Sequence, residues 1–198
     1  MEKTTLHIFT EELSFKKLAD QILPILLPKD TGFKVYTHRG KQDLEQALTK
    51  TLPVISKKPG AKVLITRDQD SGNCINVKRD LEKIITGKCF CQYKIRIVCH
   101  ELECWMLGDM EAIAKAYPRF KAELYQYKAD YRTVDRIADA PERLIRIIPE
   151  LKQNKSLPKL EFANRVASHM NIEANSSTSF KHFIIAIRQL TIFQSSKP

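Results

Sequence analysis

The chain has 198 residues, with 33 Lys and Arg against 23 Asp and Glu, a formal charge of +10, and a composition that is 43% hydrophobic and 28% charged. That length supports one sizeable core, or a core with an appendage, and the composition excludes disordered and fibrous classes. No apolar run reaches the roughly 20 residues of a membrane span, and Met1-Glu2-Lys3-Thr4-Thr5 lacks the basic-then-apolar form of a secretion signal, so a cytoplasmic protein with no membrane partner is expected.

In chain order, the first 116 residues alternate short apolar runs with helix-period segments, the pattern of βα units around a parallel sheet. Leu6 to Phe9 is the first strand, and Phe15, Leu18, Ala19, Ile22, Leu23 and Leu26 follow at helical spacing. Phe33 to Tyr36 is the second strand, and Leu44, Ala47, Leu48, Leu52 and Ile55 mark the second helix. After the Pro59-Gly60 turn come the strand Val63 to Ile65 and a helix carrying Val77, Leu81, Ile84 and Ile85. Lys94 to Cys99 is the fourth strand, and Leu102, Trp105, Met106, Ile113 and Ala116 lie on one helix after it, with Trp105 in the core. Beyond Tyr117-Pro118 the pattern is helical without strands, over Arg119 to Lys128, Pro141 to Lys152, Pro158 to His169 and Ser179 to Phe193, before a tail of Ser195-Ser196-Lys197-Pro198. The expectation is an α/β fold, a parallel-sheet Rossmann-like domain over residues 1–116 with a helical C-terminal subdomain over 117–198.

In such sheets ligands bind beyond the carboxyl ends of the strands. The loops after strands one, three and four carry Glu11-Glu12, Asp68-Gln69-Asp70 and Glu101-Leu102-Glu103, so the three acidic groups are expected at one edge. Clustered carboxylates repel one another unless a cation sits among them, and oxygen ligands suit Mg²⁺ or Mn²⁺. The metal candidates are therefore Glu11, Asp68, Asp70, Glu101 and Glu103. If a helix begins near Leu102, Glu101 stays at its edge while Glu103, about 200° further round, turns away. The competing explanation for each pair is local: helix dipoles favour acidic first turns, and Asp70-Ser71-Gly72 suits a turn. Lys41, after Gly40 at a helix start, is a candidate phosphate contact or a solvated lysine. Arg67 either contacts phosphate or pairs with Asp68, and His100 is a base or a structural histidine. Cys74, Cys89, Cys91, Cys99 and Cys104 are read as reduced thiols rather than zinc ligands, because the paired zinc spacings are missing. The positive charge favours a nucleic-acid partner through phosphate contacts, with Arg119, Lys121, Arg132, Arg136, Arg143, Arg146, Lys152, Lys155, Lys159 and Lys181 as candidate backbone contacts or a docking surface for a partner protein.

Phe9-Thr10-Glu11-Glu12-Leu13-Ser14 and Ile65-Thr66-Arg67-Asp68-Gln69-Asp70-Ser71-Gly72 together resemble TOPRIM domains, which carry a Glu after the first strand and Asp-x-Asp after a later one. With His38-Arg39-Gly40-Lys41-Gln42-Asp43-Leu44 and Glu101-Leu102-Glu103-Cys104-Trp105, most of residues 6–116 is similar to an uncharacterised TOPRIM-like family of bacterial proteins. The resemblance implies a Mg²⁺- or Mn²⁺-dependent endonuclease acting on DNA or tRNA, of the kind encoded beside an ABC-type or AAA-type ATPase in anti-phage defence. Glu11 would be metal ligand or general base, Asp68 and Asp70 metal ligands, and a homo-oligomer remains open. Glu12 stands where TOPRIM domains have Gly and Phe15 where they have an acidic residue, and no tyrosine sits beside the acidic groups, so hydrolysis is expected rather than topoisomerase or primase chemistry. The rival readings are a non-catalytic nucleic-acid or partner-binding subunit of an ATPase complex, and a small-molecule phosphohydrolase.

Overall fold

The computed structural model describes residues 3–192. The expected helical position Phe193 and the tail Ser195–Pro198 lie outside the described residues.

Four strands, β1 (Thr5–Thr10), β2 (Gly32–Thr37), β3 (Ala61–Asp68) and β4 (Tyr93–Val98), form a parallel sheet in the order β2-β1-β3-β4. Period-two alternation divides their side chains between two cores: Leu6, Ile8 and Leu64 enter one, and Phe9, Val63, Ile65 and Ile95 the other. A sheet buried on both faces needs helices on both. The helix α1 (Leu13–Leu26) lies on the first face, whereas α2 (Lys41–Lys50), α3 (Leu52–Ile55) and α4 (Cys74–Ile85) cover the second. The chain leaves β1 towards β2 on one side and reaches β3 on the other, so the strand order reverses between β1 and β3. Phe9 lies opposite Ile65, so Glu11, just past the end of β1, comes beside Arg67, which is still paired with β4.

The later helices α5 (Glu103–Leu107), α6 (Met110–Ala116), α7 (Ala140–Ile147), α8 (Lys159–Ala167) and α9 (Thr178–Thr191) join α1 on the first face. Residues on both sides of position 117 share that core: Phe15, Leu18 and Ile22 of α1 belong to the same cluster as Phe162, Phe180 and Phe183. Trp105 is fully buried at its centre, with ring centroids 4.9 Å from Phe183, 5.3 Å from Phe180 and 6.1 Å from Phe15. Its indole N–H donates to Ser179 Oγ at 2.5 Å, so the polar end of the ring is satisfied inside the core. Among the described residues no helix is long and apolar enough to cross a membrane.

Four expected helices are interrupted, and that over 141–152 ends at Ile147, with Pro149–Leu151 forming a separate 3₁₀ turn. The stretch 44–55 breaks at Thr51, because Pro53 cannot donate to the preceding turn and restarts the chain as α3. The stretch 102–116 breaks at Gly108, after which Asp109 accepts from the Ala112 N–H and caps α6. Residues 119–128 hold only a short 3₁₀ turn at Ala122–Leu124. There Tyr125 stacks on Phe120 at 5.5 Å and meets Tyr131 edge-on at 6.0 Å, and this aromatic packing outweighs helical propensity.

Candidate functional site

The strand ends at the reversal point deliver the acidic residues. Glu12 is the N-cap of α1 with an extended backbone, and its carboxylate accepts from Ser14 Oγ at 2.6 Å rather than capping the helix. Beyond β3 the ladder continues into the loop, as Gln69 N–H donates to the Val98 carbonyl at 2.8 Å and Asp70 N–H to the His100 carbonyl at 3.1 Å. Asp70 and His100 hold φ of 52° and 55°, the positive-φ non-glycine residues among those described. Left-handed backbone at non-glycine residues collects at functional sites. Gln69, Asp70, Ser71, His100, Glu101 and Ala138 line a cavity of about 320 Å³ beside this loop pair.

Two ionic groups flank Asp68. On one side Arg67 lies 3.9 Å from Glu11 and 3.2 Å from Glu45. On the other, the Lys159 ammonium lies 2.6 Å from Glu101, 3.5 Å from Glu103 and 3.8 Å from Glu12. Asp68, 8% exposed, carries a carboxyl pushed well above the usual range by burial and then by the fields of Glu12, Glu103 and Glu11, which Lys159 opposes only in part. Burial also lifts Glu103 to about 7, against the pull of Lys159. Glu11 is raised by burial and by Asp70, with Arg67 opposing. Three neighbouring carboxyls whose ionisation is disfavoured mark a place short of positive charge.

A hard divalent cation fits the donor chemistry, because the available groups are carboxylate oxygens and two of them, Glu11 Oε2 and Glu103 Oε2, are buried without a hydrogen-bond partner. The side chains are not drawn together as a finished ligand set: among the described residues no three Asp, Glu, His or Cys side chains form a group disposed to hold a metal ion.

Glu11, Asp68, Glu101 and Glu103 are thus brought to one edge, while Asp70 is exposed at the cavity rim and acts on Glu11 through its charge. Glu103 corrects the expectation that it turns away. The helix α5 starts at Glu103 itself and Glu101 precedes it outside the helix, so the 200° offset, which holds for two residues of one helix, does not apply; Glu103 is 1% exposed and shares Lys159 with Glu101. Arg67 pairs with Glu11 and Glu45. Lys41 opens α2 after Gly40 at φ 85°, its side chain is exposed, and its backbone N–H faces the Glu11 carboxylate. All five cysteines are free thiols. Lys159, grouped by sequence with the basic backbone contacts, instead neutralises the acidic cluster. Its position was a signal in itself, since a lysine at the first position of α8 opposes the helix dipole. Arg143 and Arg146 of the same basic group pair with Asp139 at 2.7 and 2.6 Å.

Sheet and site define an α/β protein with a carboxylate cluster at the crevice between its two central strands. The chain belongs to the family described as Domain of unknown function (DUF4276), whose model matches residues 11–188. Neither the curated proteins nor the solved structures give a match.

Proposed function

We propose that this chain is a Mg²⁺- or Mn²⁺-dependent nuclease that hydrolyses phosphodiester bonds of DNA or RNA at the carboxylate cluster between β1 and β3. The observation that carries the reading is Asp68, a buried carboxylate at the reversal point whose ionisation is opposed by three other carboxylates in a chain of net charge +10. Asp68 and Glu11 would hold the cation, with Asp70, Glu101 and Glu103 completing its surroundings. When bound, the cation supplies Lewis-acid polarisation of a phosphate oxygen and a water acidified towards neutral pH. Glu11, with its raised proton affinity, is suited to take a proton from the attacking water. Arg67 holds Glu11 in place, and Lys41 at the start of α2 offers an ammonium to the phosphate backbone. The cavity at Gln69, Asp70 and His100 admits one phosphate and its sugar beside the cluster.

Supercoiled plasmid and bulk tRNA incubated with and without Mn²⁺ test the reading, with an ATPase partner of the ABC or AAA type supplied in a parallel arm. Cleavage by the wild type that needs Mn²⁺ and falls at least about 100-fold in Asp68→Ala, with circular dichroism unchanged, supports it. A wild type that cuts neither substrate in either arm overturns it. One observation favours a second reading, a non-catalytic nucleic-acid or partner-binding subunit of an ATPase complex: Lys159 already supplies a cation to Glu12, Glu101 and Glu103. In that case Mn²⁺ changes neither cleavage nor nucleic-acid affinity.

A further inference from the structure

The helix α8 opens with Lys159 after the N-cap Pro158, where the helix field disfavours a cation. Its ammonium ion pairs all lead to other elements: Glu101 and Glu103 beyond β4, and Glu12 beyond β1. Glu101 is 58 residues away in sequence, so the contact is a product of the fold and not of local helix chemistry. A second observation marks the place as a ligand position. Glu103 is 1% exposed and its Oε2 makes no hydrogen bond, so a buried carboxyl oxygen faces the cluster with the Lys159 ammonium 3.5 Å away.

We propose that Lys159 is the built-in occupant of a divalent-cation position, balancing Glu12, Glu101 and Glu103 until a metal ion enters by displacing its ammonium. The inference rests on the metal-dependent reading and adds how cation entry is controlled. An ammonium and a divalent ion exclude each other from one ring of carboxylates, so the observed metal affinity is reduced by the work of expelling Lys159. Displacement also releases the N-terminal end of α8. That helix joins the first-face core through Phe162, which stacks on Tyr117 with centroids 5.7 Å apart.

Titration with Mn²⁺, read from the electron paramagnetic resonance signal of the free ion, tests the proposal on the full chain without reference to activity. Lys159→Gln is expected to bind Mn²⁺ about tenfold more tightly than the wild type, and Lys159→Arg to stay near the wild type. Equal affinity in wild type and Lys159→Gln overturns the displacement and leaves the metal reading intact. Weaker binding by Lys159→Gln also overturns it, and assigns Lys159 to organising the ligands. No Mn²⁺ binding by any of the three proteins overturns the metal reading together with this inference. Should Lys159→Gln not fold, the wild type alone decides the matter through the acylation rate of the Lys159 amine, followed by mass spectrometry. Saturating Mn²⁺ is expected to raise that rate several-fold by freeing the amine, and an unchanged or lower rate contradicts the proposal.

Discussion

His7 lies inside β1 at 3% exposure, with Nδ1 3.0 Å from the Tyr36 hydroxyl. Burial, with Lys58 and Lys34 nearby, lowers its pKa from 6.5 to about 4. Between those values the unfolded chain binds a proton that the folded chain does not, so this contribution is intact above about pH 6.5 and is lost as the pH falls towards 4. The loss reaches about 3 kcal/mol at full protonation. His7→Phe should therefore flatten the acid limb of stability, measured by urea unfolding at pH 7 and pH 4.5. Asp68 has the opposite sign. Its raised proton affinity, from burial and the Glu12, Glu103 and Glu11 charges, means that stability falls as the pH rises through the ordinary Asp range towards the folded value. Asp68→Asn carries no such charge and should raise the metal-free melting temperature at pH 7.5, at about 2–4 °C per kcal/mol gained, while abolishing cleavage. Glu11 and Asp68 were legible in the sequence because Glu11 directly follows one apolar strand and Asp68 ends another. The partners of Lys159 were not, because they are 56 residues or more away and only the fold brings them together; its place at a helix start marked it as unusual without naming them.

The joint between α5 and α6 is fixed by close approach. At Gly108 a methyl group would run into the Asn175 side-chain oxygen and lie 3.0 Å from Ser177 N. Asn175 in turn donates to the Trp105 carbonyl at 2.7 Å, and Ser176 N–H donates to the Gly108 carbonyl at 2.8 Å, so the loop before α9 is clasped onto this joint. Gly108→Ala should destabilise the protein by about 1–3 kcal/mol, measured by chemical denaturation, because the overpacked contact is backbone and buried amide rather than a free side-chain end. The same joint explains an expected helix that did not form as one piece. Apolar spacing over 102–116 is helical throughout; Gly108 and the capping Asp109 mark the break locally, but the close contact that demands glycine there comes from residues 175–177 and cannot be read from the spacing. The strands were legible to within two or three residues at each end, since short continuous apolar runs flanked by Pro and Gly report a sheet buried on both faces.

At the scale of the whole molecule, the sheet depends on the helices that follow residue 117. Phe162, Phe180 and Phe183 fill the face that α1 shares, and Trp105 is walled by α9. A fragment of residues 1–116 would expose that face, and it should lack a dispersed amide NMR spectrum while the full chain unfolds in one cooperative step. Composition change at Tyr117-Pro118 was visible in the sequence, whereas the shared core was not, because apolar periodicity gives a helix its buried side without naming what covers it. The same packing sets Lys159 at the strand ends, so the carboxylate cluster is completed by the helical part of the chain. The most direct test is an anomalous difference map from crystals soaked in Mn²⁺. A peak beside the Asp68 carboxylate within reach of Glu11, with the Lys159 ammonium withdrawn from Glu101 and Glu103, is the expected result. A map without a peak at that edge, and with Lys159 still among the carboxylates at millimolar Mn²⁺, would contradict a metal-dependent centre.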